Sequence, residues 1–195
     1  MKFSKSWAAA AAMVVLSGAA QAALVSRAGG TMIYDTTLNI TWLSDWNYAQ
    51  TSGVDADGLM DRLTAKNWAD NLVYGGYDDW RLPTSLNADG TGPCEGFNCS
   101  GSEMGHMFYN NWGASAGSDF SIGTNATNLA LFSNVQSDFY WSGTEYAPSS
   151  SGAWRFYTFN GFQSLDFARI FLLYAVAVLP GDVAARVPEP QTLAL

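Results

Sequence analysis

The hydrophobic pattern of the chain changes period twice, and this change is the strongest constraint on its fold. Two short β-type runs come first, at residues 31–35 and 40–43, and the four residues between them predict a hairpin. Helical spacing follows, and strand-like runs return at 139–142, 153–157 and 174–179. Two early helices followed by late antiparallel strands are typical of a compact α+β domain.

Two helices are predicted between the hairpin and the late strands. The first begins after the polar residues 55–58 and ends at Gly75. Its apolar positions follow a near-helical spacing at Leu59, Met60, Leu63, Trp68, Leu72 and Val73. The second begins with a capping box, in which Ser100 accepts a hydrogen bond from a backbone amide and Glu103 reaches back. Its apolar face would consist of Met104, Met107, Phe108 and Trp112.

Residues 1–22 have the layout of a secretory signal peptide, with Lys2 and Lys5 ahead of an apolar stretch and cleavage expected before Ala23. The stretch is short and rich in alanine, whereas a membrane span needs about 20 strongly apolar residues. We therefore exclude it from the predicted fold. The remaining chain is divided into an N-terminal lead at 23–30, one domain at 31–183 and a tail at 184–195.

The charge of the chain excludes polyanionic partners. Its formal net charge of −8 becomes −10 once Lys2 and Lys5 are removed with the signal peptide. Nucleic-acid binding depends on clustered lysine and arginine that displace phosphate counterions, and the basic residues here are scattered. We therefore expect no nucleic-acid partner and no attraction to anionic lipid.

Two cysteines, Cys94 and Cys99, lie five positions apart in a segment rich in glycine and proline. Export would bring them into an oxidising compartment, where thiols form disulfides. The alternatives are free thiols or a metal-binding pair, but a lone C-x4-C without further His or Cys is a weak metal signal. The sequence therefore predicts a disulfide that pins a loop.

Four segments occur in a characteristic order: D-D-W-R-L-P-T at 78–84, Y-W-S-G-T-E-Y at 140–146, A-W at 153–154 and P-G-D-V at 180–183. Together they resemble the bacterial family named after the C-terminal domain of the Legionella collagen-like adhesin. The resemblance implies a fold related to C-type lectins and to the formylglycine-generating enzyme, with adhesion or glycan binding as the role. The family's adhesin is associated with sulfated glycosaminoglycans, which an acidic chain is poorly suited to bind.

The last nine residues, V-P-E-P-Q-T-L-A-L at 187–195, resemble the start of a PEP-CTERM sorting signal. This resemblance implies processing by exosortase-type machinery after secretion across the inner membrane. The destination would be the outer surface or the biofilm matrix of a Gram-negative bacterium. Complete signals continue with an apolar membrane helix and an arginine-rich tail, so we expect this one to be truncated and membrane contact to depend on that missing helix.

Four residues are candidates for ligand binding, namely Trp141, Glu145, Trp154 and Arg155. Aromatic faces stack on sugar rings, and a nearby carboxylate can accept hydrogen bonds from hydroxyls or hold calcium. Core packing of both tryptophans is an equally good alternative.

A second set, Trp80, Arg81 and Pro83, is interpreted as a structural motif. Arginine beside an indole can donate to loop carbonyls, and proline fixes the turn. Residues 55–58 and 87–90 superficially match calcium loops, yet neither has the later glutamate, so they are interpreted as a helix cap and a turn. Calcium held by residues distant in sequence is left open, and no other cofactor is expected.

The leading functional hypothesis is an exported, non-catalytic binding domain whose partner is an extracellular polysaccharide or a surface protein. His106 has no partner motif that supplies a nucleophile or an activated water, and it is interpreted as a capped or solvated helix residue. One alternative is a matrix protein that associates with copies of itself. Another is an enzyme of the formylglycine-generating fold that uses its paired cysteines.

Overall fold

The structure is a computed structural model that describes residues 24–146, 149, 152–167 and 171–186. The predicted signal peptide at 1–22 and the sorting-signal residues 187–195 lie outside these residues. Within them, helices and two antiparallel sheets form one α+β domain, which confirms the predicted fold class.

Seven strands are present in the described part of the chain. In chain order they are β1 (Leu24–Arg27), β2 (Met32–Asp35), β3 (Ile40–Leu43), β4 (Phe139–Glu145), β5 (Gly152–Tyr157), β6 (Phe162–Phe167) and β7 (Val178–Pro180). One sheet has the order β1-β2-β3-β7 and the other the order β4-β5-β6, with every neighbouring pair antiparallel.

The helices are short. They are α1 (Tyr48–Thr51), α2 (Arg62–Asp70), α3 (Glu103–His106), which continues as a π-helical turn at Met107–Asn111, and α4 (Ala126–Leu129). Single 3-10 turns lie at Ala28–Gly30, Phe120–Ile122 and Val183–Arg186. Among the described residues, no helix has both the length and the apolar character that crossing a membrane requires.

The predicted hairpin is confirmed, because β2 and β3 pair from Met32 opposite Leu43 to Asp35 opposite Ile40. The sequence pattern did not predict two further strands. β1 comes from residues assigned to the N-terminal lead, and it extends the sheet beyond β2. β6 follows a tight turn at Gly161, whose φ of +79° and close approach to the Tyr109 hydroxyl both favour a residue without a side chain.

The first predicted helix is shorter than its apolar pattern. It begins after Asp61, whose side chain accepts a hydrogen bond from the Thr64 amide at 3.0 Å. Residues 55–58 form a turn instead, because the Asp55 carboxylate accepts from two following backbone amides. Leu63 is 65% exposed and therefore does not belong to the buried face of α2.

The second predicted helix begins two residues later than expected. Ser102, not Ser100, is its N-cap, and the Ser102 hydroxyl accepts from the Gly105 amide at 3.1 Å. The expected capping box is wrong, because the Glu103 carboxylate turns away from the cap and binds Arg81. The apolar face is as predicted, with all four of its members buried: Met104, Met107, Phe108 and Trp112.

Every tryptophan among the described residues is buried. They are Trp42, Trp46, Trp68, Trp80, Trp112, Trp141 and Trp154. Three of them, Trp68, Trp80 and Trp141, belong to a core in which α2 packs against β4. The indoles therefore form the interior of this domain rather than its surface.

The most aromatic part of the interior surrounds Trp46, and we call it the Trp46 cluster. The Trp46 ring contacts four others, with centroid separations of 5.3 Å to Trp42, 4.8 Å to Trp112, 5.3 Å to Tyr140 and 6.0 Å to Phe132. Stacked and edge-on pairs of this kind contribute about 0.5–1.5 kcal/mol each beyond the area that they bury. The cluster packs the first sheet against α3 and β4.

Candidate functional site

The two longest sequence motifs, residues 78–84 and 140–146, meet in space. The Gly143 amide and the Ser142 hydroxyl both donate to the carbonyl oxygen of Pro83, at 2.8 and 3.0 Å. Beyond this point the hydroxyls of Thr84 and Thr144 lie 2.9 Å apart. One edge of β4 pairs with β5, so the loop after Pro83 occupies the opposite edge.

A groove of about 780 Å3 opens beside this junction. Its walls come from α2, from the segment 81–86, from the cysteine loop and from the end of β4. The lining residues are Lys66, Asp70, Arg81, Leu82, Thr84, Leu86, Gly92, Pro93, Gly143, Thr144 and Glu145. A recess of about 320 Å3 shares Arg81, Thr84 and Leu86 with it. Volumes of about 300–1,000 Å3 are typical of sites for small ligands.

Arg81 forms a two-pronged ion pair with Glu103 at the floor of the groove. Its Nη1 and Nη2 atoms lie 2.8 and 2.6 Å from the two carboxylate oxygens, and Nη1 also donates to the Leu82 carbonyl. Glu103 accepts a further hydrogen bond from the Thr84 amide at 2.7 Å. Burial lowers the pKa of Arg81, but the hydrogen bond and charge of Glu103 outweigh it, and the net pKa lies above the ordinary value. The guanidinium therefore stays charged.

Two more ion pairs lie at the rim of the groove. Lys66 pairs with Asp70 one turn along α2, and Arg62 Nη2 lies 3.3 Å from the Glu145 carboxylate. Both carboxylates are well exposed, but only the Lys66–Asp70 pair is exposed on both sides, since the Arg62 side chain is 12% exposed. Exposed ion pairs contribute only about 0–1 kcal/mol to stability. The side chains of Lys66 and Asp70 and the Glu145 carboxylate are therefore accessible to a ligand, whereas Arg62 is largely covered.

The predicted disulfide between Cys94 and Cys99 is confirmed. The loop that it closes is attached to the edge of β6, where Gly96 and Gln163 exchange backbone hydrogen bonds of 2.8 and 2.9 Å. The Gln163 side chain also donates to the Cys94 carbonyl at 2.7 Å. This attachment fixes the neighbouring Pro93 as one wall of the groove.

The four residues predicted to bind a ligand are separated in the structure. Trp141 is fully buried, and its indole nitrogen donates to the Met60 carbonyl at 2.8 Å. Trp154 is also buried, at 7% exposure, so neither indole offers a face for stacking on a sugar. Glu145 lies at the rim of the groove, whereas Arg155 belongs to a different surface.

That other surface is an aromatic stack built on the second sheet. Arg155 lies 4.0 Å above the ring of Phe139, which stacks on Tyr157 with 4.0 Å between centroids and 18° between planes. Phe159 continues the stack 5.5 Å beyond Tyr157 and is 50% exposed. We call Arg155, Phe139, Tyr157 and Phe159 the aromatic stack. Near-parallel rings cover each other's faces, so the interior rings of Phe139 and Tyr157 are packed.

Two of the three structural motif residues, Trp80 and Pro83, lie outside the lining of the groove. Trp80 is buried in the core with α2, and Pro83 accepts the hydrogen bonds that join the motif to β4. Arg81 is the exception, because about a third of its side chain remains exposed to the groove.

His106 is buried, which corrects the expectation of a solvated helix residue. Asn110 donates to Nδ1 at 2.8 Å, and Nε2 lies 3.8 Å from the Asp35 carboxylate. Burial lowers the pKa of His106, and the Asp35 charge only partly opposes this shift.

No group of three or more His, Cys, Asp or Glu side chains suited to a metal ion exists among the described residues. The acidic loops serve as turns instead. Asp55 accepts from the amides of Asp57 and Gly58, and Asp89 accepts from the Thr91 amide and hydroxyl.

Sequence reasoning missed several residues of the groove, notably Lys66, Asp70 and Thr144. Lys66 and Asp70 lie one turn apart on α2, and nothing in this spacing distinguishes a solvated face from a groove wall. Thr84 lies in the motif at 78–84 and Thr144 in the motif at 140–146. The presence of a threonine in both motifs was the only sequence signal that pointed to this part of the groove.

The chain matches no protein-family model, and comparisons with the curated proteins and with the solved structures also find no match. The geometry of the groove and of the aromatic stack is therefore what a functional proposal has to explain.

Proposed function

We propose that this chain is an exported, non-catalytic binding domain that holds an extracellular saccharide in the groove. One observation carries the proposal: the two most specific sequence motifs converge on the groove, which combines an aliphatic wall with paired charges and hydroxyls. Ligand sites typically combine apolar walls with a few convergent polar groups. The motif resemblance to a family of adhesins agrees with a binding role.

The state of the nucleophilic residues supports a role without catalysis. Cys94 and Cys99 are bonded to each other, so the pair has no thiolate available in this state. His106 is buried beside Asp35 and does not line the groove. A general base has to lie within about 3 Å of the proton that it abstracts, or reach it through one water, and His106 has no such position relative to a ligand in the groove.

Two features support export. Residues 1–22 have the composition of a signal peptide, and a disulfide is typical of compartments outside the reducing cytosol. The resemblance of residues 187–195 to a sorting signal extends this proposal to the cell surface or matrix.

A polysaccharide panel tests the proposal. The purified full-length chain is passed over immobilised polysaccharides with calcium and then with a chelator. We expect selective retention that survives the chelator, because the described residues contain no cluster of metal ligands. Absence of binding at high protein concentration would contradict the proposal, and release by the chelator would assign the contact to a calcium site instead.

The aromatic stack favours a second candidate function, self-association in the matrix. Phe159 is 50% exposed, and Leu172 and Phe97 are also exposed, at 60% and 44%. Exposed apolar side chains of this kind can pair with a second copy. Light scattering across a range of concentrations distinguishes this candidate, since Phe159→Ser should abolish any assembly that uses the stack while Ile122→Ser, at another exposed site, should not.

A further inference from the structure

The charges of the groove are mutually neutralised, although the chain as a whole is acidic. Arg81 is paired with Glu103 on the floor, Lys66 with Asp70 on one rim, and Arg62 with the rim residue Glu145. Three cations therefore face three anions. An anionic ligand would have to displace a carboxylate from its cation, whereas an uncharged ligand can bind without separating any pair.

The groove nevertheless has hydrogen-bond donors to spare. The Thr84 hydroxyl oxygen accepts from the Leu86 amide at 3.1 Å, and the Thr144 hydroxyl oxygen accepts from the Ser85 amide at 2.8 Å. The contact between the two hydroxyls uses one of their two protons. The other proton is available to an acceptor in the groove, because each hydroxyl carries one donor.

Acceptors are available beside these donors. From the described residues, the Asp70 and Glu145 carboxylates each accept one hydrogen bond, and a carboxylate has about four acceptor sites. Arg81 has five N–H groups and makes three hydrogen bonds, so it adds further donors to these acceptors. The groove thus offers both donors and acceptors, which suits hydroxyl groups because each of these both donates and accepts.

The remaining walls are aliphatic. Leu82, Leu86 and Pro93 supply apolar surface, and Gly143 lets the Leu82 backbone pack closely against β4. The C–H face of a sugar ring can pack on such a surface, while its edge hydroxyls reach the polar groups.

From these three properties we infer that the groove takes an uncharged saccharide unit with adjacent hydroxyls, in preference to a uronic acid or a sulfated sugar. This inference rests on the proposed saccharide-binding function and names the ligand class of the same site. An anionic sugar gains nothing from the cations near the groove, because each of them already has a carboxylate partner.

Amide chemical shifts of the 15N-labelled full-length chain test the inference. The probes are cellobiose and maltose, compared with a disaccharide of matched size that contains glucuronic acid. We expect the neutral probes to shift the amide signals of Ser85, Leu86, Gly143 and Thr144, with an affinity unchanged between low and high salt. Tighter, salt-sensitive binding of the uronate in the groove would overturn the inference and leave the proposed function intact.

A variant with uncharged rim groups provides a second readout. Lys66→Gln combined with Asp70→Asn keeps a donor and an acceptor at exposed positions but removes both charges. Charge-assisted hydrogen bonds are roughly twice as strong as neutral ones, so removing the charges should weaken the contacts without abolishing them. We therefore expect neutral disaccharides to bind within about threefold of the original affinity. A loss above tenfold would overturn the inference. Retention on the polysaccharide panel without any groove shift would also overturn it, whereas a negative panel refutes the proposed function itself.

Discussion

The groove and the Trp46 cluster use opposite kinds of side chain. The Trp46 cluster consists of rings in mutual contact, and its three indoles are completely buried. The groove is lined by aliphatic, hydroxyl and charged residues, with no aromatic ring among its described lining. Aromatic residues in this domain therefore stabilise the fold, and the surface left for a ligand is built from smaller and more polar groups.

This difference changes how the high aromatic content of the sequence is understood. Fourteen per cent of the residues are aromatic, which favoured a ligand site made of tryptophan faces. The structure instead buries the indoles of Trp141 and Trp154, and only Glu145 of the four candidates reaches the groove. Substitutions in each region separately test this division of roles.

The largest effect is expected in the Trp46 cluster. Trp46→Ala removes a fully buried ring with four aromatic neighbours, and such truncations cost about 3–5 kcal/mol in the free energy of unfolding. Urea unfolding followed by circular dichroism measures this loss. Leu63→Ala, at an exposed position of α2, is the control and should stay within about 0.5 kcal/mol. Equal effects of the two changes would refute the structural role of the cluster.

The floor of the groove should be the next most sensitive region. Arg81→Met leaves Glu103 unpaired at 10% exposure, which we expect to cost about 2–3 kcal/mol, less than a fully buried pair because Arg81 is partly exposed. Adding Glu103→Met should recover part of the loss, since no unpaired carboxylate remains. Urea unfolding of both single variants and the double variant measures this coupling, and strictly additive effects would contradict it.

Loss of the disulfide should affect the groove more than the core. Replacing Cys94 and Cys99 together by serine is expected to cost about 2 kcal/mol, because the closed loop is short. Its main consequence is a less fixed Pro93 wall, so saccharide affinity should fall while the near-ultraviolet circular dichroism of the tryptophans is unchanged. Unaltered affinity in the folded variant would show that this loop does not shape the site.

A smaller, pH-dependent effect is expected at His106. Burial lowers its pKa in the folded chain below the ordinary 6.5, so the unfolded chain binds the proton more readily. Stability from this residue is therefore complete above about pH 6.5 and is lost as the pH falls below that value. Asp61, whose pKa is lowered by the hydrogen bond from the Thr64 amide, contributes stability throughout this range and loses it only as the pH falls below 3.8.

Unfolding free energies between pH 7.5 and 5.5 measure the contribution of His106. The original chain should lose stability across this window, and His106→Gln should flatten the dependence. Identical slopes for the two proteins would show that His106 is not held neutral by burial.

Local sequence signals predicted the elements whose pattern and turn chemistry agree. The hairpin of β2 and β3, the apolar face that begins at Met104, and the disulfide all belong to this class. The predicted helix starts were less accurate, because Asp55 and Ser102 use their side chains to bind nearby amides and so set the local backbone.

The groove could not be read from local patterns, because it depends on contacts between distant residues. Thr84 and Thr144 are 60 positions apart, and Arg81 reaches Glu103 across 22 positions. Burial of Trp141 likewise depends on α2 packing against β4. A sequence pattern can identify such residues as special without telling which of them remain exposed.

Binding measurements on two variants test whether the groove, and not the aromatic stack, is the ligand site. One variant, Lys66→Ala with Asp70→Ala, removes an exposed rim pair without changing the net charge. The other, Phe159→Ala, removes the exposed ring of the aromatic stack. Titration calorimetry with the polysaccharide that the panel selects should show about a tenfold loss of affinity for the rim variant, corresponding to about 1.4 kcal/mol of lost hydrogen bonding. The ring variant should bind like the original chain. The reverse result, with binding lost only in the ring variant, would contradict the groove as the ligand site.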